Sequence, residues 1–68
     1  MDINKEYIDC LVDEMLITNF DIEEVTWHWI IKVRSRSLSN TAVKVLARYR
    51  AFSHIERTEK EFLIYIDK

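Results

Sequence analysis

The sequence contains neither glycine nor proline in its 68 residues. Both residue types mark turns and interrupt helices, so a chain without them is expected to have short connections and to be mostly helical. The lack of glycine also excludes the glycine-rich loops that hold phosphate in P-loop and dinucleotide-binding proteins. A chain of this length is expected to form one domain, residues 1–68. Its hydrophobic content of 49% makes a compact core feasible.

Charge is distributed unevenly along the chain, although the formal net charge is only −2. Acidic residues dominate positions 1–24, whereas positions 25–55 contain no acidic residue at all. The basic residues of this second block are Lys32, Arg34, Arg36, Lys44, Arg48 and Arg50. An acid-free basic block inside an otherwise acidic chain is typical of a surface that contacts an anionic partner.

The single cysteine, Cys10, has no partner for an internal disulfide, which indicates a reducing intracellular setting. Free cysteines are usually interior, so Cys10 is expected to be buried or half-buried. The acidic N-terminus lacks the pattern of a signal peptide, and no apolar run approaches the ~20 residues that span a bilayer. These features predict a soluble protein without a membrane partner, located in the cytoplasm or in a host nucleoid or nucleus.

Three helices are predicted from apolar spacing and capping residues. The first runs from about residue 3 to 17 and is capped by Asp2, with the buried stripe Ile8, Leu11, Val12 and Met15. The second covers about 22–33, because Asp21 followed by Glu24 matches a capping box; Trp29 lies on its core side. The third covers about 39–52, capped by Ser37 or Ser39. Its apolar stripe comprises Ala42, Val45, Leu46, Tyr49 and Phe52.

The remaining residues are aromatic and β-branched enough to favour a hairpin. Its strands would be residues 54–58 and 61–66, joined by a tight turn at Glu59-Lys60. A fourth helix capped by Thr58, with Glu61 completing a capping box, is the alternative. The predicted fold is therefore α+β and mostly helical, with a three-helix helix-turn-helix core followed by a short C-terminal hairpin. The alternative is an all-α four-helix domain.

The outer face of the third helix has the chemistry needed to contact duplex DNA. Asn40 matches adenine edges, Lys44 and Arg48 match guanine or phosphate, and Thr41 matches a phosphate or a thymine methyl group. Outside this face, Arg34, Arg36 and Arg50 are expected to contact phosphates. The same residues also fit an ordinary solvated helix face.

Three segments carry a resemblance to a known family: Ser39-Asn40-Thr41-Ala42-Val43 with Leu46, then His54-Ile55-Glu56-Arg57, then Phe62-Leu63-Ile64-Tyr65-Ile66. Together they resemble the second half of a winged helix-turn-helix domain, over about residues 21–66. The resemblance implies that Asn40, Thr41, Lys44 and Arg48 face a DNA groove. It also implies that Arg57 and Lys60 lie in the wing, where one of them, Arg57 in the preferred assignment, is expected to contact the DNA backbone beside the groove.

The preferred function from sequence is a small DNA-binding transcriptional regulator, expected to act as a homodimer because paired half-sites double the contact area. Helix 1 or the surface around Trp27 would form the dimer contact.

The alternative is a small interaction module or inhibitor of phage or viral type that binds a host protein through its charged faces. No enzymatic activity, metal or cofactor is expected, because Cys10, His28 and His54 are scattered and match no catalytic or metal-binding spacing.

Overall fold

The computed structural model describes residues 3–68 and consists of two helices packed on one four-stranded sheet. In chain order the elements are α1 (Lys5–Met15), β1 (Phe20–Glu24), β2 (His28–Val33), α2 (Asn40–Arg48), β3 (Phe52–Arg57) and β4 (Phe62–Asp67). The order is α-β-β repeated twice. All neighbouring strands are antiparallel, in the spatial order β1-β2-β4-β3. The sheet therefore joins two α-β-β halves through its central pair, β2 and β4.

Helix α1 begins at a local capping signal. The Asn4 side chain accepts a hydrogen bond from the Tyr7 backbone N–H at 3.0 Å, satisfying one of the donors that open a helix. The predicted stripe of this helix is confirmed, since Ile8, Leu11, Val12 and Met15 are all buried. The proposed cap Asp2 lies outside the described residues.

The prediction of a helix over residues 22–33 is wrong. These residues form most of the hairpin β1–β2 instead, so the protein is neither mostly helical nor all-α, and the three-helix helix-turn-helix core is absent. Burial along β2 follows a period of two: Trp29, Ile31 and Val33 are buried while the residues between them are half-buried. This alternation is the mark of a strand with two different faces, and β-branched residues fit such a pleated surface well.

The predicted third helix exists but is shorter, ending at Arg48. Of its two proposed caps the structure uses Ser39, whose hydroxyl accepts from the Ala42 backbone N–H at 3.1 Å. Farther along, Phe52 belongs to β3 instead of extending the helix. The predicted C-terminal hairpin is confirmed, but it is part of the main sheet and not a projecting wing, because β4 pairs with β2 as well as with β3.

The core lies between the helices and one face of the sheet. Its buried residues come from every element except β1 and β3, which contribute partly buried side chains at the edges. The confirmed core position Trp29 is 7% exposed, and its indole N–H donates to the Ile3 backbone carbonyl at 2.9 Å. Cys10, in contrast, is exposed, so its predicted burial is wrong.

Helices α1 and α2 run antiparallel on the same side of the sheet. At one end the ring of Tyr7 lies 5.2 Å from that of Tyr49, edge to face, which places the start of α1 beside the end of α2. At the other end, residues 16–19 after α1 and 37–39 before α2 line the same depression. The opposite face of the sheet is not covered by any part of residues 3–68.

Candidate functional site

Two exposed surfaces, on opposite sides of the sheet, are candidates for function. The first is the outer surface of α2 with its flanking loops, which we call the basic surface: Arg36, Asn40, Thr41, Lys44, Arg48 and Arg50. The second is the uncovered side of the sheet, which we call the open face: Asp21, Glu23, His28, Ile30, Lys32, His54, Glu56, Leu63, Tyr65 and Asp67. Register assigns these residues to one side, because each lies directly opposite or two positions from another in the set.

On the basic surface, the residues predicted from sequence are brought together in part. All of Asn40, Thr41, Lys44 and Arg48 are exposed on α2, because the buried positions Ala42, Val45 and Leu46 turn the other side of the helix to the core. A shallow depression of about 480 Å³ lies along α2 and is lined by Thr41, Lys44, Val45, Ala47 and Arg48.

Two other predicted DNA contacts are separate from this cluster. The guanidinium of Arg34 forms an ion pair with Asp21 of β1 and donates to the Asn19 side chain at 3.3 Å. Arg57 lies on β3, where its guanidinium carbon is 5.6 Å from the centre of the Phe62 ring. Both side chains are exposed, but each already has a partner within its own neighbourhood.

Among residues 3–68, the side chains of Arg36, Lys44, Arg48 and Arg50 form no ion pair. In contrast, Lys32 of β2 pairs with Glu23 at 3.0 Å, and Lys68, next to β4, pairs with Glu24 at 2.7 Å. The pKa of Lys32 is raised, mainly by its hydrogen bond to Glu23 and next by the negative charge of the same carboxylate. Lys5, Arg57 and Lys60 also form no ion pair within residues 3–68, so four of the seven unpaired cations lie on or beside α2.

The open face has an apolar centre that sequence reasoning missed. Ile30 of β2 lies directly opposite Tyr65 of β4, and Leu63 lies two residues before Tyr65 on the same side of β4. All three side chains are half-buried and point away from the helices. A solvated face of an antiparallel sheet is usually polar, so three adjacent apolar or aromatic residues at its centre stand out.

Two histidines flank Tyr65 on this face. The ring of His54 stacks on the Tyr65 ring at 4.4 Å with an interplanar angle of 7°, and the ring of His28 meets it edge-on at 5.6 Å. Each imidazole also faces a carboxylate: His28 lies 3.1 Å from Asp67, and His54 lies 3.6 Å from Glu56. His28 is thus held by two residues of β4, and His54 by Tyr65 of β4 and by Glu56 on its own strand.

Tyrosines on both sides of the sheet donate to carboxylates. The Tyr65 hydroxyl donates to Glu56 at 3.3 Å, and its pKa is raised first by burial and then by the charge of that carboxylate. In the helical layer the Tyr49 hydroxyl donates to Glu14 of α1, and this hydrogen bond, more than burial, raises the pKa of Tyr49 to about 12. The contact of Tyr49 with Glu14 fastens α2 to α1 at the surface.

The groups that carry covalent or metal chemistry are not brought together. Cys10 is on α1, on the helical side, whereas His28 and His54 are on the open face, so the sheet separates the thiol from both imidazoles. Within residues 3–68 no three His, Cys, Asp or Glu side chains are placed to hold a metal ion. None of the helices in this range has both the length and the hydrophobicity that crossing a bilayer requires.

Comparison with other proteins adds no relative from which a role can be transferred. No protein-family model, curated protein or solved structure matches the chain.

Proposed function

We propose that the protein is a protein-interaction module and that the open face is its docking surface. The observation that carries the proposal is the apolar centre of Ile30, Leu63 and Tyr65 on a sheet face that nothing in residues 3–68 covers. Interfaces characteristically place apolar and aromatic side chains at the centre of a polar rim. Here the rim consists of histidines and carboxylates, with Lys32 beside them.

Charge on the rim specifies the chemistry of the partner. Glu23 and Asp21 are already neutralised by Lys32 and Arg34, whereas Glu56 and Asp67 have no lysine or arginine partner: Asp67 faces His28, and Glu56 faces His54 and the Tyr65 hydroxyl. With histidine neutral the open face therefore carries excess negative charge. A protein surface with an apolar projection surrounded by lysine or arginine complements it. Two copies of the open face would repel each other.

Single-stranded nucleic acid is a poorer occupant of this face. Sheets that bind RNA stack bases on free aromatic rings and surround them with positive charge. On this sheet His54 already covers one side of the Tyr65 ring. The excess carboxylates would also repel the phosphates.

The size of the open face sets the expected strength of binding. The four strands have five or six residues each. At about 4.8 Å between strands and about 3.4 Å per residue, the face measures about 400 Å². A standard interface buries about 800 Å² on each partner. A partner that covers only the open face is therefore expected to form a small interface and to bind transiently. Covalent crosslinking is the appropriate assay for such a complex.

The proposal is tested by photo-crosslinking inside cells of the source organism. A photoreactive phenylalanine derivative in place of Leu63 is expected to capture a discrete partner of another mass, because Leu63 lies in the centre of the open face. The matched control is Leu16, which is 78% exposed on the helical side. Equal capture from both positions, or none from Leu63, would contradict the proposal.

Duplex DNA binding through the basic surface is a second candidate, favoured by the unpaired cations Arg36, Lys44, Arg48 and Arg50. One feature of the fold opposes it. The major groove is about 12 Å wide and accepts one helix, yet α2 lies directly beside α1, whose exposed side chains include Glu6 and Asp13. Those carboxylates would approach the phosphates at the groove edge.

A gel shift with random duplex DNA tests this second candidate. If the four cations contact phosphates, the logarithm of the affinity is expected to fall with the logarithm of salt concentration with a slope of about −3 to −4. Lys44→Ala with Arg48→Ala is expected to abolish the shift, whereas Lys5→Ala on α1 is not. Wild-type binding by the double variant would exclude α2 as the contact.

A further inference from the structure

The helical layer is divided into an acidic half and a basic half. Opposite its buried stripe, α1 exposes Glu6, Cys10 and Asp13, with Asp9 at the side; opposite its own stripe, α2 exposes Asn40, Lys44 and Ala47, with Arg48 at the side. Within residues 3–68, the charged members of both sets form no ion pair. The two helices thus present opposite, unneutralised charges next to each other on one surface.

We infer that this layer binds a second copy of the chain, with α1 of each copy lying on α2 of the other. A two-fold axis parallel to the helices, placed above the groove between them, produces this arrangement. Both contacts are then identical, as a closed dimer requires. Each copy carries both the acidic and the basic helix, so the surface is complementary in charge to a second copy of itself.

Because the helices are antiparallel, the position of each charged residue along the common helix direction can be compared between α1 and α2. Tyr7 lies beside Tyr49 at one end, and residues 16–17 lie beside residues 37–39 at the other. Counting between these ends at 1.5 Å per residue, Asp13 is level with Lys44. A rotation about an axis parallel to the helices preserves that level, so Asp13 of the second copy comes opposite Lys44. By the same count Glu6 and Asp9 come opposite the end that carries Arg48 and Arg50.

The outward side of α2 suits a helix–helix contact, because the small residue Ala47 lies between Lys44 and Arg48. Val43 is 49% exposed and Ala47 is also exposed, while Tyr7 and Tyr49 are half-buried at one end. Small apolar residues between charged ones allow two helices to approach closely while ion pairs form at the margin. Because the opposing face consists of only two short helices, the dimer is expected to be weak and sensitive to salt.

Charge reversal tests the inference with two double variants. Lys44→Glu with Arg48→Glu makes both helices acidic. Glu6→Lys with Asp13→Lys reverses the net charge of α1 to positive, although Asp9 and Glu14 remain, so that both helices are then net positive. Molar mass is measured by light scattering at about 0.05 M and about 0.5 M salt, over about a hundredfold range of protein concentration. The wild type is expected to dimerise at low salt, and each double variant alone is expected to dissociate at least about tenfold more readily.

Mixing supplies the decisive result. The α2-reversed and α1-reversed variants are expected to form a heterodimer when combined, and a chain with all four substitutions is expected to regain the homodimer. Helical content from circular dichroism shows that each variant is folded. The control Arg57→Glu with Lys60→Glu changes the net charge as much as the α2 reversal does, but away from the helical layer, and should dimerise like wild type.

Two outcomes overturn the inference. One is a wild type that stays monomeric at low salt, whether or not it shifts duplex DNA. The other is a pair of reversed variants that fails to associate on mixing. Since the helical layer and the open face lie on opposite sides of the sheet, either outcome leaves the proposed docking function of the open face standing.

Discussion

Replacing Ile31 with aspartate is expected to unfold the protein, whereas the same replacement at the adjacent Ile30 is expected to leave it folded. Ile31 is 0% exposed and belongs to the core, while Ile30 is half-buried on the open face. A carboxylate without a partner in the core costs several kcal/mol, which is comparable with the total stability of about 5 kcal/mol at the low end for small domains. Ile30→Asp should cost about 1 kcal/mol, mainly through lost strand propensity.

Thermal unfolding followed by circular dichroism measures both variants. Ile30→Asp should retain a cooperative transition, and Ile31→Asp should show none. Equal destabilisation of the two variants would contradict the assignment of Ile30 and Ile31 to opposite faces of β2. The folded Ile30→Asp protein also has a second use, because it should lose the crosslink from Leu63 if the open face is the docking surface.

Trp29→Ala is expected to remove about 3–5 kcal/mol from the free energy of unfolding. Its indole ring is buried, and its N–H is the donor for the Ile3 carbonyl, which would lose that partner. The matched control is Trp27→Ala, because Trp27 is 76% exposed. That change should stay within about 0.5 kcal/mol.

Urea unfolding monitored by circular dichroism gives both free energies. A lowered midpoint for Trp29→Ala, at unchanged dependence on urea, identifies a loss of stability and not a change in the unfolded chain. If Trp27→Ala were the more harmful change, the assignment of these two neighbours to interior and surface would be reversed.

Elements specified by nearby residues were predictable from the sequence. The stripe of α1, the Ser39 cap of α2 and the hairpin of β3 with β4 all depend on contacts a few positions apart. The hairpin was predicted even without glycine in its turn. There the Thr58 hydroxyl accepts from the backbone N–H groups of Lys60 and Glu61 at 3.3 and 3.0 Å and so organises the connection.

Residues 20–33 were mispredicted because two periods fit the same apolar residues. Ile22, Val25, Trp29 and Val33 have helical spacing, and Asp21 with Glu24 imitates a capping box. The alternation of Trp29, Ile31 and Val33 fits a strand equally well. Strand pairing decides between them: β2 pairs with β1 across a short turn that carries no glycine or proline signal, and on its other edge with β4, where His28 lies opposite Asp67. The residues near positions 20–33 do not indicate that β4, far along the chain, pairs with this segment.

The candidate surfaces differ in predictability for a similar reason. The exposed side of α2 follows from the helical period alone, so its residues were identified, although their binding to DNA stays a prediction. The open face depends on strand order and on which side the helices cover. Ile30, Leu63 and Tyr65 come from separate segments, and only the assembled sheet places them together.

The position of β4 has a consequence for the order in which the protein assembles. The hairpins β1–β2 and β3–β4 each close over a few residues, but the join of β2 to β4 requires residues 34–61 to form a closed loop. Closing this loop costs conformational entropy, and the cost grows only with the logarithm of the loop length. An isolated hairpin, in turn, is at best marginally stable in water. Neither α-β-β half is therefore expected to persist alone, and the meeting of the two halves is expected to be the late, rate-setting event in folding.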